Sequence, residues 1–151
     1  MTQRADIYLI SGSTFSEVKD FCLRLCSKVW EQQLPALILT ATEHESELLH
    51  QTLWQQESNS FIPSRLVSSA QEPAPAAPEI WISHSAAPSN LDSSRYLLVL
   101  INRQPEDAIE TFHRVALVVP NQDTEIAKAR QSYRAFKAKL PEVHIHDMRR
   151  G

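Results

Sequence analysis

The sequence predicts a single α/β domain built on a mostly parallel five-stranded sheet with helices on both faces. Short runs rich in Ile, Leu and Val alternate along the chain with stretches of helical periodicity. The chain has 151 residues, of which 42% are hydrophobic, enough for one sizeable core. Neither half has enough strands to close a sheet alone, so we expect residues 1–151 to form one domain.

Five apolar runs are short enough to be strands and are rich in the residue types that favour extended structure. We predict strands at residues 6–10, 37–40, 79–83, 96–101 and 114–119.

The first helix follows the first strand. Thr14 and Glu17 have the spacing of a capping box, which marks a helix start. Apolar residues then recur at steps of four, three and four, which places them on one face of a helix. This stripe consists of Val18, Cys22, Leu25 and Val29.

Three more helices are predicted. Thr42 and Glu45 repeat the capping pattern before a helix that ends near Trp54. A short helix is expected at residues 106–112. The last helix has a clear apolar stripe and stops before Pro141, because proline cannot continue a helix. Its stripe is Ile126, Ala129, Tyr133, Phe136 and Leu140.

Two segments between these elements are predicted to be mobile surface loops, at about residues 68–78 and 84–94. The first holds three of the nine prolines, separated by alanines and polar residues that cannot build a core.

Nothing in the sequence indicates a membrane or secreted protein. No apolar run approaches the roughly 20 residues of a membrane span, and the N-terminus lacks the pattern of a signal peptide. We therefore expect a cytoplasmic protein that contacts no membrane. Cys22 and Cys26 fit neither a redox motif nor a zinc motif and are expected to be reduced core thiols.

The glycine count argues against a nucleotide cofactor. Gly12 is the only internal glycine, whereas dinucleotide and phosphate loops need several. The expected fold is thus Rossmann-like without a nucleotide-binding loop, and no cofactor, metal or catalytic residue is predicted. The six histidines fit no metal motif. A small anion-binding enzyme with a pocket near Gly12 and Ser13 stays open as a less favoured alternative.

Charge is distributed unevenly along the chain. From residue 126 onward there are seven Lys or Arg and two acidic residues, whereas the preceding 125 residues hold eight basic and sixteen acidic groups. On the last helix Arg130, Arg134 and Lys137 share a face beside Tyr133. Such a face fits an acidic peptide with an apolar, carboxylate-ended terminus. Single-stranded DNA fits less well, and a simple solvated helix face is the plain alternative.

A second candidate surface lies at residues 53–66, where large apolar groups interrupt a polar stretch. Trp54, Phe61 and Pro63 have few apolar neighbours in sequence, as binding surfaces often do. The alternative is that Trp54 ends the helix stripe and Phe61 folds back onto the same core. The sequence leaves both interpretations open.

Several of these segments together resemble the chi subunit family of the bacterial DNA polymerase III clamp loader. The matching segments occur in the family's order over nearly the whole chain, with LW followed by SFIP the most specific. They are IYLI, ALILT, LWQQESNSFIP, YLLVLIN, RVALVVP and AKARQSYRAFKAK. Two positions depart from the family pattern: Ser64 stands where His is frequent, and Lys139, Leu140 and Pro141 replace a common glycine.

The resemblance implies a non-enzymatic replication protein that contacts DNA only indirectly. It would bind the psi subunit through Trp54, Phe61 and Pro63, and the acidic C-terminal tail of single-stranded DNA-binding protein through the last helix. The implied tail-binding residues are Arg130, Tyr133, Arg134, Val119, Lys128 and Lys137, with Lys128 as a supporting charge. A repair helicase is an alternative partner for the Trp54 surface.

Overall fold

The computed structural model describes residues 4–32, 34–54, 64–66, 80–83, 96–101, 112 and 114–149. These residues form three helices: α1 (Phe15–Glu31), α2 (Glu43–Trp54) and α3 (Asp123–Lys139). They also form seven strands: β1 (Arg4–Leu9), β2 (Ala36–Leu39), β3 (Ser64–Leu66), β4 (Ile80–Ser83), β5 (Leu97–Ile101), β6 (Arg114–Val119) and β7 (Glu142–Asp147).

All seven strands join one parallel sheet in the order β3-β4-β2-β5-β6-β1-β7. The central strands β2, β4 and β5 are buried at every position, as expected for a parallel sheet covered on both faces. The predicted α/β class with a parallel sheet is confirmed.

The predicted number of five strands was too low, because the two edge strands were missed. β3 has only three residues, too few to show a pattern. β7 has the sequence EVHIHD, in which Val143 and Ile145 alternate with polar groups. An edge strand is half solvated, so it lacks the continuous apolar run by which the central strands were recognised.

Helices cover the two faces of the sheet. The α1 face, which carries α1 and α2, buries Val18, Cys22 and Leu49 against strand residues such as Ile38. The α3 face carries α3, whose Phe136 is fully buried within a second core cluster. The chain therefore has two hydrophobic layers, one on each side of the sheet.

The helix starts predicted at Thr14 and Thr42 are confirmed. The backbone N–H of Glu17 donates to the Thr14 hydroxyl at 3.3 Å. The N–H of Glu45 likewise donates to Thr42, and the Glu45 carboxylate accepts from the N–H of Ala41. These bonds satisfy donors that a helix start leaves free.

The segment after α3 is placed by pairing with the first strand. α3 ends at Lys139 and, after Leu140 and Pro141, the chain enters β7, which runs parallel to β1. Past the end of β7, the N–H of Met148 donates to the carbonyl oxygen of Leu9 at 2.8 Å. The two strands at this edge are thus fixed in register as far as residue 148.

The predicted loops at residues 68–78 and 84–94 lie outside the described residues, as does the expected short helix apart from Phe112. Among the described helices, none has the length and apolar character needed to cross a membrane.

Candidate functional site

A pocket of about 360 Å³ opens on the α3 face, between α3 and the edge formed by β1 and β7. Residues from all three elements and from the segment after β7 line it: Ile7, Leu9, Ile126, Ala129, Arg130, Tyr133, Arg134, Ile145 and Arg149. We call it the α3–β7 pocket.

The floor of the α3–β7 pocket is apolar. Ile7 and Leu9 are two positions apart on β1, so their side chains point to the same face of the sheet. Ile145 is the register partner of Ile7 on β7, so the two side chains lie next to each other. Ile145 is 53% exposed, an unusual fraction for a large aliphatic residue on a strand. An apolar ligand group placed here would remove that surface from water.

The rim of the pocket is cationic. Arg130, Tyr133 and Arg134 lie at positions i, i+3 and i+4 of α3, which places them on one face of the helix. Arg149 adds a third guanidinium from the opposite side. Outside the rim, the ammonium of Lys137 lies 5.8 Å from the centre of the Tyr133 ring.

This arrangement suits a ligand that is both apolar and anionic. Guanidinium groups bind carboxylates through paired hydrogen bonds, and three of them surround a floor that accepts an aliphatic or aromatic side chain. Such a pocket can hold the end of a peptide chain, where a side chain and a free carboxylate come together.

The structure brings three of the six predicted tail-binding residues together: Arg130, Tyr133 and Arg134 line the pocket. The other three do not line it. Val119 is 4% exposed and belongs to the core beneath α3. Lys128 forms an ion pair with Glu125 at 3.4 Å, and Lys137 contacts Tyr133.

Ile145 and Arg149 are pocket residues that sequence reasoning missed. His144 and His146 alternate with Ile145, a pattern typical of an extended segment in which Ile145 points to the side opposite the two histidines. The missing information was that this segment pairs with β1. Without the pairing, nothing in the sequence connects Ile145 with Ile7 or with α3.

A family model described as "DNA polymerase III chi subunit, HolC" matches residues 1–143. The chain belongs to the DNA polymerase III chi subunit family. The chi subunit of Haemophilus influenzae is 26% identical over 139 residues, which cover 91% of this chain and 92% of that protein. The chi subunit of Escherichia coli K12 is 27% identical over 140 residues, covering 89% and 91%. A probable chi subunit of Rickettsia prowazekii is 28% identical over 123 residues, covering 77% and 69%.

Membership of the chi family confirms the expected class of protein: an accessory subunit in DNA replication and not a catalytic one. The structure of this chain does not test the residues predicted to contact psi. Trp54 is the last residue of α2, but its side chain, Phe61 and Pro63 lie outside the described residues.

The region near Gly12 does not suit the anion that the alternative enzyme would need. A hollow of about 230 Å³ there is lined by Glu17 and Asp20 together with Arg24, so carboxylates predominate. Any side chain at position 12 would overlap Glu17. Gly12 is therefore explained by a close approach between the turn and the start of α1.

The two cysteines are buried and not disulfide-bonded, as expected for core thiols. Cys22 forms a hydrogen bond with Cys26, and this bond together with burial raises the pKa of the Cys22 thiol well above its ordinary value. In the described part of the chain, no cluster of three or more His, Cys, Asp or Glu side chains is placed to hold a metal ion.

A second polar cluster lies on the α1 face of β1 and β7 and was not predicted. The carboxylate of Asp6, which is 2% exposed, accepts hydrogen bonds from Arg4 at 2.8 Å and from Arg114 at 2.6 Å. It also lies 2.8 Å from Nε2 of His146, whose ring stacks on Tyr8. These contacts tie β1 to both of its neighbours.

Proposed function

We propose that this chi-family protein is a bridging subunit that binds psi at one surface and the acidic C-terminal tail of single-stranded DNA-binding protein at another. It would act in the cytoplasm and meet DNA only through these partners. The chi-family membership supports a role in the polymerase assembly, and the resemblance described above suggests the two partners.

The observation that carries the tail-binding part is the composition of the α3–β7 pocket. Its apolar floor and its three guanidinium groups match a peptide that ends in an apolar residue with a free carboxylate. Few ligands need both features in one small space. An aspartate-rich tail with an apolar end has both.

Each predicted tail-binding residue has a role consistent with its position. Arg130 and Arg134 would bind carboxylates, while the Tyr133 ring would pack against the terminal side chain. Lys128 and Lys137 would add positive potential that attracts the acidic tail before contact. Val119 would act from the core beneath the helix by supporting the packing of α3.

The position of α2 relative to the pocket supports a bridge. α2, which ends at Trp54, packs on β3 and β4 at one edge of the sheet. The α3–β7 pocket lies at the opposite edge, on the other face. Two partners at these places would not compete for the same residues.

The tail-binding proposal is tested with Arg130→Glu. We expect this change to weaken binding of a synthetic aspartate-rich peptide that ends in phenylalanine by about 2 to 5 kcal/mol, because a desolvated charge pair becomes a repulsion. Calorimetry of the purified chain measures the affinity. Raising the salt concentration should also weaken the wild-type complex.

The matched control is Arg24→Glu, the same charge reversal on α1. Arg24 lies 5.7 Å from the ring of Phe21, on the α1 face and away from the pocket. Its reversal should change the peptide affinity only slightly. Wild-type affinity in Arg130→Glu, or equal losses in both variants, would refute a specific site on α3.

A further inference from the structure

Arg149 stands out among the pocket residues because its guanidinium is already bound to a carboxylate of the same chain. Its Nε donates to Asp147 Oδ1 at 2.9 Å and its Nη2 donates to Asp147 Oδ2 at 2.7 Å. The backbone N–H of Arg149 also donates to Asp147 Oδ1, at 3.1 Å. This is the two-pronged geometry by which arginine binds any carboxylate.

The ion pair lies beside the apolar floor. Asp147 is the register partner of Leu9, just as Ile145 is the partner of Ile7, so Asp147 lies on the same face of β7 as the pocket residue Ile145. The bond from Met148 to Leu9 fixes the backbone between the two charged residues. The pair is thus held at the pocket by the sheet.

The two charged side chains are partly in water. The Arg149 side chain is 36% exposed and that of Asp147 is 48% exposed. An ion pair this exposed is weak, because water competes for both partners. An incoming carboxylate can therefore replace Asp147 at modest cost, whereas a buried pair would resist such an exchange.

We propose that Arg149 is a third carboxylate-binding residue of the pocket and that Asp147 occupies it until the acidic peptide displaces Asp147. The inference rests on the proposed function, since it concerns the same peptide. In the free protein Asp147 imitates the ligand. On binding, a peptide carboxylate takes over the guanidinium, and the Asp147 carboxylate turns to solvent.

This exchange makes Asp147 a determinant of affinity and selectivity. A ligand must offer a carboxylate that competes with Asp147, so a neutral apolar peptide gains nothing from Arg149 and leaves the ion pair intact. The pocket would therefore discriminate in favour of acidic peptides beyond what Arg130 and Arg134 provide.

The test is a double-mutant cycle with Asp147→Asn and Arg149→Gln, measured by calorimetry with the phenylalanine-ended acidic peptide. Asparagine retains an oxygen that can accept the backbone N–H of Arg149, so the turn is preserved. Arg149→Gln should weaken binding by up to about fivefold, and Asp147→Asn should strengthen it by a similar factor, as expected for exposed charge pairs.

The deciding comparison is Asp147→Asn in the Arg149→Gln background. If Asp147 acts by occupying Arg149, Asp147→Asn should strengthen peptide binding in this background no more than Glu142→Gln does. Glu142→Gln is the control, because it removes a charge from the other face of β7. If Asp147→Asn strengthens peptide binding as much without Arg149 as with it, Asp147 acts only by repelling the acidic peptide, and the proposal is overturned. A loss or no change with Asp147→Asn alone would overturn it as well.

Failure of this inference is distinguishable from failure of the proposed function. If the wild-type chain does not bind the acidic peptide, or Arg130→Glu has no effect, the proposed function fails. If wild-type binding depends on Arg130 but not on Arg149, only the present inference is refuted. Thermal unfolding of each variant confirms that the measured chains are folded.

Discussion

Asp6 is a buried carboxylate that holds basic side chains from β1, β6 and β7 at one edge of the sheet. Burial by itself would raise its pKa, but hydrogen bonds from Arg4, Arg114 and His146 outweigh this effect. Together they lower the pKa of Asp6 from its ordinary 3.8 to about 2. The cluster thus stabilises the ionised form in the folded protein.

The lowered pKa of Asp6 predicts a loss of stability in acid. Below pH 3.8 the unfolded chain takes up a proton at this residue before the folded chain does, so stability falls as the pH drops from about 4 to about 2. The contribution at neutral pH is about 2 kcal/mol. Urea unfolding across this pH range measures it.

The control for this prediction is Asp6→Asn, which removes the titrating group and should be less stable at pH 7. Its free energy of unfolding should also vary less between pH 4 and pH 2 than that of the wild type. Equal pH dependence in the two proteins would contradict a stabilising role for the ionised carboxylate.

α3 and β7 together build the pocket, and neither does so alone. α3 supplies the arginines and Tyr133, but it is held in place by Phe136, which is fully buried against the sheet. β7 supplies Ile145 on the opposite side. The position of the helix against this edge therefore sets the width of the pocket.

Phe136→Ala is expected to lower the free energy of unfolding by about 3 to 5 kcal/mol, because it leaves a cavity between α3 and the sheet. Denaturant unfolding measures this loss. Phe136→Leu is the control and should cost less, since leucine fills part of the same space. Similar small losses for both would show that α3 is not fixed by this contact.

At the scale of the whole molecule, α2 and the α3–β7 pocket lie at opposite edges of the sheet. α2, which ends at Trp54, packs on β3 and β4 at one edge, whereas the α3–β7 pocket lies at the other edge, beside β1 and β7. Mutations at one surface are therefore expected to leave the other unaffected, since distant sites without shared contacts behave independently.

This independence is tested with Trp54→Ala and Phe61→Ala. If both residues contact psi, either change should abolish co-purification of psi, because aromatic residues at an interface commonly contribute more than about 2 kcal/mol. The affinity for the acidic peptide should stay at the wild-type value. Arg130→Glu is the reciprocal control and should retain psi.

Loss of both partners in a single variant would contradict the two-surface model, provided that circular dichroism shows a folded chain. Retention of psi by both aromatic variants would favour the alternative that Trp54 and Phe61 belong to the core.

Local signals were sufficient for most of the fold. The apolar runs of β2, β4, β5 and β6 and the capping patterns at Thr14 and Thr42 depend only on neighbours in sequence, so they could be predicted directly. The face shared by Arg130, Tyr133 and Arg134 follows from helical periodicity for the same reason.

The order of residues along the chain is enough to predict the parallel α/β class, the helix starts at Thr14 and Thr42, and the cationic face of α3. The pairing of the C-terminal segment with β1 as a seventh strand is visible only in the folded chain, and this pairing brings Ile145 and Arg149 to a pocket shared with α3. The physical reason is that strand pairing joins residues more than 130 positions apart, such as Ile7 and Ile145. Periodicity reports the direction of a side chain, whereas its partner depends on which strand lies alongside.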